Sequence, residues 1–214
     1  MTTWGTVKCV MLGDDGVGKT CLLTSYQEKR FPDGYIPSTY GAHSETVFIG
    51  DTLYTLAVFD TSCDPQYTRL RPLLYPQTDI FLLCFNVVSP SSFASVRDVY
   101  VAEANHFCAG VPTVVVGLQI DLRESVKRRG VSEVISRAQG EEMAWAIGAS
   151  AYVECSAKTG VGVQGVFVKA VVVAAESQTR FRDSDGNRQV EGGAGVEGAR
   201  KRLFRRRTGR CIVL

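Results

Sequence analysis

Apolar and polar positions along the chain change period repeatedly, and the changes mark out the elements. TVKCVML (6–12) is an apolar, β-rich run that leads straight into a glycine-containing loop, and Lys19 to Lys29 then carries a helical period. TVFIGDTLYTLAVFD (46–60) alternates on both sides of Gly50-Asp51, which predicts a hairpin turning there. IFLLCFNV (80–87) and VPTVVVGLQ (111–119) are continuous apolar runs of strand length. Helical patterns cover 91–107, 131–148 (opened by Ser132 and closed by Gly148) and 161–177, with a short strand, AYVECSA, at 151–157. FPDGYIPSTYG (31–41) and the stretch from Asp60 to about Pro76 have the Pro, Gly and Ser content of long exposed loops. No internal repeat interrupts this order.

Continuous apolar strands alternating with helices predict an α/β fold whose mostly parallel sheet is covered on both faces. In such sheets a ligand lies beyond the carboxyl ends of the strands. The loop at 13–20, Asp60, LQID (118–121) and ECSAK (154–158) all fall at strand ends, which makes them one candidate site.

GDDGVGKT (13–20) has the spacing of a phosphate loop, Gly13-x-x-x-x-Gly18-Lys19-Thr20. Gly13 and Gly18 permit a tight turn, Lys19 neutralises the outer phosphates, and the Thr20 hydroxyl can hold Mg²⁺ at the positive end of a helix. Asp60, closing a strand, suits a carboxylate that reaches that ion directly or through water. Asp121 can accept both N–H donors of a guanine edge, which adenine does not offer. Backbone N–H groups at Ser156, Ala157 and Lys158 can meet the guanine oxygen. In this order and spacing the motifs favour guanine over adenine, so the expected ligands are GTP and GDP with Mg²⁺.

The segments GDDGVGKTCLL, FPDGYIPSTY, FDTSCDPQY, RLRPLLYPQTD, FNVVSPSSF, GLQIDLR and YVECSAK together resemble the Rho family of small GTPases, within the Ras superfamily, over about residues 6–176 and the last four residues. RLRPLLYPQTD and SPSSF are the segments particular to Rho. The resemblance implies a six-stranded sheet with five helices. It implies that Phe31 packs on the guanine, that 31–43 and 60–76 are the two switches, and that Gly16, Val17, Cys21 and Gln119 belong to the nucleotide site. It also implies exchange factors, effectors, a prenyl-binding dissociation inhibitor, and a role in actin, cell-shape or polarity pathways.

The departures from that pattern bear on chemistry. Asp14 is ordinary for the family and is expected to point away from the phosphates. Asp15 stands where the family has a Gly beside the γ-phosphate and the attacking water. Ser62, Cys63 and Asp64 replace Ala, Gly and the Gln that orients the water. Ser38 takes the place of the Thr that closes over Mg²⁺, Leu118 that of a polar residue at the base, and Gly41 and His43 those of an Asp and a Tyr at the effector surface. The segment between Asp121 and Val131 is short for the helical insert of the family. Slow or absent hydrolysis is therefore expected, with Lys19 and a degenerate Asp64 as what remains of the catalytic set.

Charge divides the chain. Residues 1–176 carry 14 Lys/Arg against 18 Asp/Glu, a net −4, whereas residues 177–214 carry 10 against 4, a net +6. The boundaries expected from composition are a nucleotide-binding domain over 1–177, a Gly-rich flexible linker over 178–199 and a basic tail over 200–214. Seven arginines and lysines between Arg200 and Arg210 precede Cys211-Ile212-Val213-Leu214. That ending reads as a prenylation signal at Cys211, with the final Leu favouring geranylgeranyl. A solvated or nucleic-acid-binding tail is the competing reading of the basic run. The adjacent Cys favours an anionic membrane surface over nucleic acid, and hence the cytoplasmic face of the plasma membrane or an endomembrane.

MTTWGTVK lacks an apolar core of signal-peptide length, and VFVKAVVVAAES (166–177) is too short to span a bilayer. The seven cysteines have no metal-like spacing, which suits a reducing compartment, and Cys9, Cys84 and Cys155 read as core residues. His43 and His106 form no ligand set. Three functions stay open on these residues: a membrane-anchored GTP-binding switch, a nucleotide-poor scaffold or sequestering protein of the same fold, and a phosphate-loop ATPase or kinase. Asp121 and ECSAK argue against the last, and Cys63 and Leu118 keep the second in play.

Overall fold

The computed structural model describes residues 2–32, 34, 41–61, 70–128 and 134–184. Its sheet is built from β1 (Thr2–Leu12), β2 (Gly41–Ile49), β3 (Thr52–Asp60), β4 (Ile80–Asn86), β5 (Thr113–Leu118) and β6 (Ala151–Glu154) in the order β2-β3-β1-β4-β5-β6. Only the β2–β3 hairpin is antiparallel.

The apolar run in β4 explains the layering. Successive strand residues point to opposite faces, so a strand buried on both sides needs apolar residues at every position. Ile80, Leu82 and Cys84 enter one core, with Cys9, Met11 and Cys155, under Leu22, Leu23 and Tyr26 of helix α1 (Lys19–Glu28) and Phe167 and Val171 of helix α6 (Val163–Ser184). Phe81, Leu83 and Phe85 enter the other, with Tyr75, Val96, Tyr100 and Met143. Each fully buried side chain of this size contributes roughly 1.5–3 kcal/mol, and the Tyr26 and Phe167 rings meet with centroids 4.1 Å apart.

The second core lies under one continuous bent helix and one separate helix. The bent helix comprises α2 (Pro90–Ser95), a π segment (Val96–Tyr100) and α3 (Val101–Phe107). The separate helix is α5 (Arg137–Ala146). With α4 (Leu122–Arg128) these make five helices among the described residues, as the resemblance implies, and a 3₁₀ turn (Arg71–Leu74) lies in the second predicted loop. No described helix is long and apolar enough to cross a membrane.

Several boundaries differ from the sequence reading. The helix placed at 131–148 starts at Arg137, where Ser136 accepts from the Gln139 N–H and the Gln139 side chain accepts from the Ser136 N–H; this capping box outcompetes Ser132. Gly148, with φ 72°, does stand just past its end. β6 stops at Glu154, so Cys155 to Lys158 leave the sheet as a loop. β1 starts at Thr2, four residues before the apolar run, because β3 offers a parallel partner as far as Thr52. β2 starts at Gly41, five residues before the predicted hairpin, and so takes in the last residue of the first predicted loop. α6 runs to Ser184, seven residues past Ser177. The linker beyond 184, the basic tail, Ser38, Cys63, Asp64 and Cys211 lie outside the described residues.

Candidate nucleotide site

The carboxyl ends of β1, β3, β5 and β6 converge on one edge of the sheet. β1 ends at Leu12 and the chain turns at once through Gly13, whose φ is 152°. A Cβ there would stand 2.2 Å from the Cys84 carbonyl oxygen of β4, so glycine is required by close approach as well as by backbone angle. The loop then closes on itself. Lys19 is 5% exposed, and its Nζ donates to the carbonyls of Gly13 (2.7 Å) and Asp14 (2.9 Å), which holds the ammonium at the mouth of the loop.

Thr20 Oγ1 donates to Asp60 Oδ2 at 2.5 Å, joining the start of α1 to the end of β3. Asp60 is 3% exposed, and its other oxygen, Oδ1, is buried with no hydrogen-bond partner among the described residues. Burial pushes the Asp60 carboxyl above its ordinary range, against the opposing pull of the Thr20 hydroxyl, Lys19 and His43. A buried carboxylate with one orphaned oxygen beside a hydroxyl is a hard-oxygen donor set that a divalent cation would relieve. The residues present therefore fit Mg²⁺, held by Thr20 and by Asp60 directly or through water. When bound, that ion would neutralise phosphate charge.

Beside this lies a cavity of about 280 Å³, lined by Gly18, Cys21, Phe31, Leu118, Gln119, Asp121, Leu122, Ala157 and Lys158. Seven of these nine were expected for the nucleotide site; Leu118 enters as the apolar replacement noted in the sequence, and Leu122 is new. Asp121 Oδ1 accepts from Ser156 Oγ at 2.6 Å, and that same hydroxyl accepts from the Thr159 N–H. The bond fixes the carboxylate against the ECSAK loop. Gln119 has another task. Its Nε2 donates to the Gly16 and Val17 carbonyls (3.3 and 3.1 Å), and its Oε1 accepts from Asn86 Nδ2 (3.1 Å). Gln119 thus braces the phosphate loop against the end of β4, which its residue type alone does not reveal. The Val17 side chain belongs to the core, so that residue serves the site through its backbone.

The two aspartates of the loop diverge. Asp14 Oδ1 accepts from Tyr100 Oη at 2.8 Å, turned toward the π segment 86 residues away in sequence. Asp15 is exposed and lines a shallow, polar concavity of about 190 Å³ with Ser89, Ser91 and Ser92. Tyr100 also carries the Arg71 guanidinium over its ring at 5.4 Å. Arg71, in turn, pairs bidentately with Glu103, which accepts from Tyr75 Oη. This chain of contacts links the phosphate loop to the root of the second loop, and no spacing in the sequence could have shown it.

A phosphate loop, a Lys–Thr–Asp set with its Lys and Asp buried, and an adjacent Asp–Ser base cavity on one edge of a six-stranded sheet form a single nucleotide site. The family model described as Ras, the Ras family, matches residues 8–176. That span is most of the chain and contains every described part of the site, and the chain belongs to the Ras family of small GTP-binding signalling proteins.

Proposed function

We propose that the protein is a Rho-type, lipid-anchored GTP-binding signalling protein that holds guanine nucleotide with Mg²⁺ and hydrolyses GTP slowly or not at all. The observation that carries the nucleotide reading is the adjacency of two features. Buried Lys19 and Asp60 lie at the phosphate end, and the Asp121–Ser156 pair lies in the base cavity. Gly13, Gly16, Val17 and Gly18 serve through backbone, Phe31 and Cys21 flank the nucleoside, and Ala157 and Lys158 offer N–H groups to the guanine oxygen. Ser38 would complete the metal set. The Rho assignment rests on RLRPLLYPQTD and SPSSF, and with it come exchange factors, effectors, a prenyl-binding dissociation inhibitor and an output in actin, cell shape or polarity.

Titration of the nucleotide-free protein with GTP and ATP in millimolar Mg²⁺ tests this reading. GTP is expected to bind at least 10²-fold more tightly, and equal affinities would refute it. In the same assay Asp60→Asn is expected to lose most of the Mg²⁺-dependent gain in affinity. The nucleotide-free variant should melt no lower than the natural protein, because the change removes a buried charge whose desolvation outweighs the support of Thr20, Lys19 and His43.

A scaffold that holds nucleotide poorly is the second reading, and Leu118 favours it, since its buried side chain lines the base cavity without a polar atom.

Membrane attachment is proposed to depend on Cys211, strengthened by the cluster from Arg200 to Arg210. One lipid alone binds reversibly, and each basic residue near an anionic surface adds roughly 1 kcal/mol. Cys211→Ser is expected to move the protein to the soluble fraction at high salt, where a basic tail alone is screened. Retention of that variant on membranes in high salt would contradict the anchor.

A further inference from the structure

Outside the residues that line the base cavity, one buried polar cluster stands against it. Arg123 follows Asp121 by two residues and Glu154 precedes Ser156 by two. Their side chains meet in a two-pronged ion pair: Nη2 donates to Oε1 at 2.6 Å and Nη1 to Oε2 at 3.1 Å, with side-chain exposures of only 17% and 7%. Arg123 Nε also donates to the Ile135 carbonyl at 3.2 Å, and Tyr152 Oη donates to Glu154 Oε1 at 2.7 Å. Burial raises the Glu154 carboxyl, but the Arg123 and Tyr152 hydrogen bonds outweigh it and leave the group below its ordinary range.

The surroundings are cleared for this cluster. A Cβ on Gly117 of β5 would stand 2.7 Å from Tyr152 Oη, and one on Gly140 of α5 would stand 2.2 Å from Tyr152 Cζ. Two glycines on different elements make the slot in which the phenol reaches Glu154. Gly117 and Glu154 are register partners in the β5–β6 pair. The ion pair thus sits at the point where the two strands release the loops that carry Asp121 and Ser156.

A buried ion pair costs desolvation and is weak support for stability in itself. We propose that Arg123 and Glu154 are a positioning pair for guanine recognition. They fix the spacing of the two loops so that the Asp121 carboxylate and the N–H groups of Ala157 and Lys158 meet one base edge together. This role rests on the guanine reading above. The loops touch directly through Ser156 Oγ to Asp121 Oδ1 and the long Ile120 N–H to Cys155 carbonyl bond of 3.4 Å. The guanidinium fork supplies a planar, two-point constraint that these cannot, and a lysine has no equivalent geometry.

The test compares GDP, IDP and ADP binding to the natural protein, Arg123→Lys and Glu154→Gln, with melting temperature measured alongside. IDP lacks the exocyclic amine from whose N–H Asp121 would accept a hydrogen bond, so the GDP-to-IDP affinity ratio reports carboxylate placement. Both variants are expected to lower that ratio by about tenfold, with Lys failing to rescue Arg123. A fall in melting temperature with the ratio unchanged would make the pair structural and overturn the proposal. Equal binding of GDP and ADP by the natural protein would refute the guanine reading itself, and this role with it. Should Arg123→Lys fold poorly, Glu154→Gln, which keeps the shape and one hydrogen bond, carries the measurement.

Discussion

The combined variant Asp15→Gly/Cys63→Gly/Asp64→Gln is expected to hydrolyse GTP far faster than the natural protein once a Rho-type activating protein is supplied. The difference should approach the scale of an arginine finger, up to about 10⁵-fold or roughly 7 kcal/mol of barrier. Phosphoryl transfer is catalysed by positioning and by positive charge around the transferred group. On the proposed reading, a carboxylate at position 15 would oppose that charge and take the space an incoming guanidinium needs. Asp15 is exposed on the phosphate loop, lining a concavity with Ser89, Ser91 and Ser92. Asp14 is not part of the proposed lesion, since its carboxylate is engaged by Tyr100 Oη. Asp64 is shorter than Gln and lacks an amide donor, and Cys63 adds a Cβ where the resemblance implies a γ-phosphate-sensing Gly; both lie outside the described residues. Single-turnover hydrolysis with and without the activating protein decides the matter. Brisk, partner-stimulated turnover by the natural sequence would sink the claim, and an inert triple variant would show that other residues are to blame.

Asp121→Asn is expected to cost GTP affinity about 10³-fold, some 4 kcal/mol, while xanthosine triphosphate gains. In the proposed site the carboxylate would accept two donors from guanine; an amide would present a donor to a donor there and leave the cavity with an unmatched polar group. Xanthine has a carbonyl at the same edge, which the new N–H can meet. Ser156→Ala should lose about tenfold, because Ser156 Oγ holds Asp121 Oδ1 at 2.6 Å but serves the base only through it. Competition binding with the two nucleotides reads both effects, and an Asp121→Asn protein with undiminished GTP preference would remove Asp121 from the base site.

The chain's own order determined a great deal. Runs such as IFLLCFN require a strand buried on both faces, and such strands alternating with helices leave an α/β sheet with its ligand at the carboxyl edge. The phosphate loop was legible because its chemistry is local: the turn, the ammonium and the hydroxyl come from eight consecutive residues. Asp60, Asp121 and Ser156 were legible as candidates because each closes or shortly follows a strand whose end the fold places on that edge.

Tertiary structure decided what depends on contact between distant segments. The start of α5 was misread at Ser132 because both positions offer a serine cap, and only Ser136 has Gln139 to complete the box. The extent of β1 and the length of α6 depended on what lies beside them. Gln119, expected only as a member of the nucleotide site, acts as a brace because a positive φ (61°) and the neighbouring Gly16 and Val17 carbonyls direct its amide to the phosphate loop. Asp14–Tyr100 and Arg123–Glu154 join residues 86 and 31 positions apart. Hydrogen bonds of that kind have no period or spacing; they exist only once the sheet has brought the strand ends together.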